Sequence, residues 1–321
     1  MGRKVMVMGM RAMAIRSVLP SLTLALVLLL SPAPAAAQPQ PAQVSFTMQD
    51  GNQVVGFEYA PAHGPGRHRR PLLLMIHGAS DTHTVFDFFP GFRAAPELSH
   101  LGVTVLALDR VGYGASSHPD GDALDFATSA GYVHEVIQAV RAGALGFTPP
   151  VIVLLGPSAG ADIAIVEAGT YQDVDGLIVC SNTSELQAAL FDVDVGAWFA
   201  QGPYFDFGVD FRTQFFYAAP FAIPLLIDLD NATRSLVPRA EIQSALANLS
   251  APFRSQVTAP VLLLQADHDA IFVPRDDSAL FSASPDVSFR LLRLTGHKIF
   301  EHPASHALSV VDIAAWVGNR F

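Results

Sequence analysis

The chain has 321 residues, half of them hydrophobic, which allows one large domain or two small ones with a sizeable core and excludes a disordered or fibrous protein. With 19 basic and 29 acidic residues the net charge is −10, the wrong sign for tracking a phosphate backbone, so no nucleic-acid partner is expected. The single cysteine, Cys180, excludes an internal disulfide; no Cys/His run has metal-binding spacing, and neither a metal nor a cofactor is expected.

Arg3, Lys4, Arg11 and Arg16 precede the apolar stretch Val18 to Leu30, which runs into Pro32-Ala33-Pro34-Ala35-Ala36-Ala37. A basic region, a short apolar core and small residues for a peptidase read as a secretory signal over residues 1–37. A spanning helix needs about 20 apolar residues, and Pro20 interrupts this one. The expectation is an exported, secreted or periplasmic protein comprising residues 38–321, with no stable membrane insertion once the signal is removed. That portion keeps 15 basic against 29 acidic residues, and its only lysine is Lys298. Genome composition accounts for the scarcity of lysine.

Apolar runs rich in Val, Ile and Leu recur at Val54–Tyr59, Leu72–Ile76, Val103–Leu108, Val151–Leu155, Leu177–Cys180, Val261–Gln265 and Phe289–Leu294. They read as strands of a largely buried, mainly parallel sheet. Helical spacing between them, such as Val133, Val136, Ile137 and Val140, or Leu308, Val311 and Ala315 at the end, makes this a doubly wound α/β fold. The 80 residues from Ser181 to Pro260 exceed any plain crossover and read as an inserted cap at about 183–255. Eleven aromatics fall between Phe191 and Phe221, Trp198 and Phe216 among them. They serve either as the insertion's own core or as the wall of an apolar binding cavity.

Gly156-Pro157-Ser158-Ala159-Gly160 fits G-x-S-x-G, between the strand ending at Leu155 and a helix over Ala159–Ala168. A sharp strand-to-helix turn exposes a serine hydroxyl and aims free helix N–H groups at a reacting carbonyl. Next to the strand Leu72–Ile76 stands His77-Gly78-Ala79, so the amides of Ala79 and Ala159 are the pair expected to hold an oxyanion. His77 itself reads as a structural loop residue. A serine nucleophile needs a base oriented by a carboxylate. Asp267, His268 and Asp269 follow one strand, His297 follows another, and both places are carboxyl ends where α/β sheets build sites. Asp267 and His268 read as loop residues, Glu185 is a weaker rival acid, and His302 and His306 read as surface or helix-start residues.

In that order along nearly all of residues 38–321, the chain resembles the α/β-hydrolase superfamily, in its esterase and lipase-like branch with a cap domain. His77-Gly78 resembles the oxyanion-loop motif, and Leu108-Asp109-Arg110-Val111-Gly112-Tyr113-Gly114-Ala115-Ser116 the family's Asp-Arg-x-Gly-x-Gly-x-Ser segment. The resemblance implies Ser158 as nucleophile, Asp269 as acid, His297 as base, and Asp109 and Arg110 as loop-shaping residues. Pro157, Ala159 and Ala266 stand where many relatives have histidine, a larger residue and glycine, respectively. The resulting expectation is an exported serine hydrolase cleaving a carboxylic ester with an apolar acyl or alcohol group through an acyl-enzyme. The alternatives are another serine-triad hydrolase acting on a thioester, amide or carbon–carbon bond, or a non-catalytic small-molecule binding protein on the same fold.

Overall fold

Alternate residues of the central strands go to opposite faces, and both faces are covered. In β3 (Leu72–Ile76), Leu72, Leu74 and Ile76 join one core while Leu73 and Met75 join the other, and none of the five is exposed. This explains why the strands read as continuous apolar runs and not as alternating ones. The structure is a computed structural model describing residues 40–62, 66 and 69–321; the signal read over residues 1–37 lies outside the described residues.

The strands are β1 (Ala42–Thr47), β2 (Gln53–Tyr59), β3, β4 (Thr104–Asp109), β5 (Ile152–Pro157), β6 (Gly176–Cys180), β9 (Val261–Ala266) and β10 (Val287–Leu292), in spatial order β1-β2-β4-β3-β5-β6-β9-β10. β1 and β2 run antiparallel at one edge, and every other pairing is parallel apart from that of β2 with β4. The fold is therefore a doubly wound, mostly parallel α/β sheet. Edge strand β1 escaped the sequence reading because its residues are mostly exposed and it lacks a dense apolar run. β10 ends at Leu292, two residues before the expected Leu294, and Leu294 instead adopts a left-handed backbone in the following turn.

Helices α1 (Ala94–His100) and α8 (His306–Arg320) cover one face; α2 (Phe126–Arg141) and α3 (Ala159–Tyr171) cover the other. Asp125 caps α2 by accepting the Thr128 amide at 2.7 Å, and its Val133, Val136, Ile137 and Val140 form the buried stripe. α3 is buried nearly all round, wedged between the sheet, α2 and the 251–256 turn. Between β6 and β9 the chain forms α4 (Val195–Phe199), β7 (Tyr204–Phe205), α5 (Val209–Phe216), α6 (Pro224–Ala232), β8 (Val237–Pro238) and α7 (Arg239–Leu246). β7 and β8 pair as a separate two-stranded sheet. Arg110, beyond β4, donates to both carboxylate oxygens of Glu241 on α7 at 2.6 and 3.2 Å, and Tyr113 adds a hydroxyl bond at 2.8 Å. These buried contacts anchor the insertion over the carboxyl ends of the strands.

Candidate active site

Ser158 stands between β5 and α3 with φ 54° and ψ −127°, a positive-φ conformation that a side chain adopts only under constraint. Its amide donates to the Cys180 carbonyl of the neighbouring strand at 3.0 Å, and its carbonyl accepts the Ala161 and Asp162 amides at 2.8 and 3.2 Å. Bulk is impossible beside it: a Cβ on Gly156 would lie 2.2 Å from the Gly160 carbonyl oxygen, and one on Gly160 2.5 Å from that of Ile76. The two glycines thus let α3, β5 and the end of β3 meet at one point. Ala159 opens α3, so its N–H has no intrahelical acceptor.

The loop after β3 lies directly against this turn, since a Cβ on Gly78 would be 3.2 Å from that of Ser158. His77 is fully buried; its Nε2 accepts the Arg110 amide at 3.2 Å, which puts the ring proton on Nδ1, 2.8 Å from the Gly78 carbonyl. Burial, followed by the nearby Arg110 charge, pushes this imidazole well below its ordinary range, so it stays neutral and structural. Arg110 also donates to the carbonyls of His77 and Gly78 at 2.9 and 3.2 Å. Asp109 accepts the His83 and Ala115 amides, each at 2.8 Å. Asp109 and Arg110 hold loops in place.

His297 and Asp269 are brought together from two different strand ends. His297 Nδ1 lies 3.1 and 3.0 Å from the two Asp269 oxygens, and both residues are buried. Asp269 is itself fixed: Oδ1 accepts the Ile271 and Phe272 amides at 2.8 and 3.0 Å, and Gln265 reaches Oδ2 at 3.3 Å. No hydrogen bond joins Ser158 Oγ to His297 among the described residues; the two meet as walls of one small cavity, together with Gly78, Ala79 and Phe216. The rival groups sit elsewhere. Asp267 pairs with its neighbour His268 at 2.7 Å, and Glu185 forms an exposed ion pair with Arg275 at 2.6 Å. His306 does head α8, but it and His302 are buried and not on the surface, because their ring nitrogens bond to the Phe300 and Lys298 carbonyls inside the loop before α8.

A cavity of about 630 Å³, open space at its mouth included, extends from Ser158, Ala79 and Ala159 beneath the insertion. Trp198, Phe207, Phe211 and Phe216 line it along with Leu186 and Ile242. The eleven aromatics therefore divide: Trp198, Phe207, Phe211 and Phe216 face the cavity, Phe205, Phe215 and Tyr217 pack inward away from it, Phe191 is exposed, and Phe199, Tyr204 and Phe221 are partly buried. Phe216 touches both regions, its ring centroid 5.5 Å from that of His297.

Sequence reasoning passed over one element of the site. Lys298, next to His297, is buried and donates to Asp81 of the loop after β3 at 2.6 Å and to Asp230 of α6 at 3.0 Å. Arg212 of α5 also reaches Asp230, and bonds Ser80 Oγ at 2.5 Å. Burial alone would lower the Lys298 ammonium; Asp230 and then Asp81 outweigh it and hold that group above the ordinary lysine range. Burial likewise opposes ionisation of Asp230, but Lys298 and Arg212 keep its carboxyl below the usual range, whereas burial drives Glu301 well above. One cluster thus ties His297, the loop after β3 and the insertion together. The available signal was the position of the only lysine after residue 37, directly beside the candidate base.

The sequence model described as the alpha/beta hydrolase family matches residues 73–307, a span that takes in Ser158, Asp269 and His297. The chain belongs to that family. A search of curated protein sequences gives no significant match. Among solved structures, an esterase from Exiguobacterium antarcticum superposes with a TM-score of 0.68 at 17% identity, covering 86% of this chain and 100% of that one. An esterase from Thermogutta terrifontis, solved with malate bound, gives 0.64 at 20% identity over 88% and 99%. The thioesterase domain from the curacin biosynthetic pathway gives 0.56 at 16% identity over 87% and 99%. At these identities the likeness is one of fold. Among the described residues no helix is long and apolar enough to cross a membrane.

Proposed function

We propose that the protein is an exported serine esterase whose nucleophile is Ser158. The observation that carries the reading is a serine in a strained turn at a helix N-terminus, opening on the same cavity as a histidine bonded to a buried aspartate. Ser158 Oγ attacks the ester carbonyl carbon while its proton passes to His297 Nε2. The carbonyl oxygen becomes an oxyanion held by the amides of Ala79 and Ala159. Collapse expels the alcohol, which takes the proton from His297, and leaves an acyl-enzyme. A water molecule then gives its proton to His297 and its hydroxyl to the acyl carbon, releasing the acid and restoring Ser158. Asp269 holds the Nδ1 proton throughout and stabilises the imidazolium. The aromatic wall favours an apolar acyl or alcohol group, with Trp198 and Phe216 as substrate contacts. Residues 1–37 act as the export signal, delivering the protein to the periplasm or the medium.

The test is turnover of p-nitrophenyl esters by the exported protein, combined with a fluorophosphonate. One adduct on Ser158 and ester turnover are expected; labelling at another serine, or binding without turnover, overturns the reading. Intact mass of the exported chain should place its start near Gln38, and retention of residues 1–37 in a membrane fraction would make that segment an anchor.

A further inference from the structure

Two turns beyond the nucleophile, the other end of α3 carries Glu167, which is wholly buried with neither carboxylate oxygen meeting a hydrogen-bond donor among the described residues. Beside it lie Asp173, from the turn after α3, and His134, from α2. His134 Nδ1 is 2.8 Å from Asp173 Oδ2 and 4.0 Å from Glu167 Oε1, and one ligand atom from each residue falls within 4.8 Å of the others. Asp173 Oδ1 is likewise buried without an N–H donor, and a proton shared between the Glu167 and Asp173 carboxyls is what holds the two together. We propose that His134, Glu167 and Asp173 form a binding site for one divalent transition-metal ion of the zinc class, joining α2 to the end of α3.

The three donor atoms already converge within 4.8 Å, and side-chain shifts of about 1 Å bring them to the roughly 3–4 Å separations of donors held about 2.0–2.2 Å from one zinc. An imidazole nitrogen with two carboxylate oxygens favours a borderline cation over magnesium or calcium, which take oxygen ligands almost exclusively. The imidazole is already oriented, since its ring stacks on Tyr171 with centroids 3.8 Å apart. His134 and Asp173 are only partly buried, which leaves one side open for water to complete the coordination. Arg141, whose charge acts on Glu167, is engaged with the Asp173 carbonyl at 2.6 Å and with Asp175 at 3.0 Å, and Gln138 donates to Asp173 Oδ2. Glu167 is left to be neutralised by a proton or by a metal. The expectation of no metal rested on local spacing, and these three ligands are scattered over two helices and a turn. Metal binding here does not depend on the esterase chemistry.

The experiment is calorimetric titration of the untagged, chelator-stripped protein with zinc chloride and, separately, magnesium chloride. One zinc per chain at micromolar affinity and no magnesium uptake are expected. Glu167→Gln and Asp173→Asn should each weaken zinc at least tenfold, with Asp173→Asn, nearer the surface, serving if Glu167→Gln does not fold. Cobalt added to the native protein should give a visible absorption band that zinc abolishes. Absence of saturable zinc uptake by the native protein, or uptake unaltered in the variants that fold, overturns the site.

Discussion

Beside the first turn of α3, the buried carboxylates of Asp81 and Asp230 are matched by Lys298 and Arg212; at its last turn, Glu167 and Asp173 have no buried cation of their own among the described residues. A carboxyl group loses several kcal/mol of hydration on burial, and the two clusters meet that cost in different ways. Matched cations keep Asp230 ionised and bind three chain segments into one unit beside His297. With no cation bonded to its carboxyl, Glu167 holds a proton and remains open to a metal. The difference separates a cluster that fixes geometry for chemistry from one whose charge state is still adjustable.

The largest expected effect tests whether chemistry is confined to the first end. Ser158→Ala should abolish ester turnover, and Asp269→Asn should lower kcat about 10⁴-fold by removing the orientation of His297. Zinc binding by both variants should match that of the native protein. If Glu185→Gln or Asp267→Asn were the more damaging change, Asp269 would not be the acid.

Lys298→Met should destabilise the fold by about 3–5 kcal/mol, because Asp81 and Asp230 then stay buried with one cation fewer. Urea unfolding measures it, and a cost below about 1 kcal/mol would mean the cluster is not the tie described.

The two clusters should also answer pH in opposite directions. Asp230 has a depressed native pKa, so its contribution is present above the unfolded value and is lost as pH falls through the native one. Glu167 has a raised native pKa, so its favourable state is complete below the unfolded value and is lost as pH rises toward about 10. In chelator, Glu167→Gln should gain roughly 3 kcal/mol relative to the native protein at pH 7, and nothing at pH 4. Thermal unfolding across that range provides the check, and a difference independent of pH would show Glu167 to be ionised.

The smallest effect concerns the cavity. Each methylene taken into it is worth at most about 0.8 kcal/mol, so two to four added carbons should raise kcat/KM by one to two orders of magnitude. Trp198→Ala should flatten the p-nitrophenyl ester series from acetate to dodecanoate, as should Phe216→Ala. A native series that is flat, and unaltered in both variants, would assign these aromatics to packing alone.

Features that depend on near neighbours were legible in the sequence. The strand Leu72–Ile76 declares itself by composition, and the turn at Ser158 by two glycines whose missing side chains its geometry demands. Asp269 and His297 were legible as carboxyl-end residues of β9 and β10, although only the parallel pairing of those strands brings them within 3.1 Å. For the aromatics of the insertion, the sequence left open whether they form a core or a cavity wall, because each is equally apolar and only packing decides which rings face Ser158. The charge clusters were beyond sequence reading altogether. Lys298 lies 217 residues from Asp81 and 68 from Asp230, and Glu167 meets a histidine from another helix. Whether a buried carboxyl is ionised, protonated or ready for a metal depends on which donors the folded chain puts beside it, so the tertiary structure alone decided the charge at the two ends of α3.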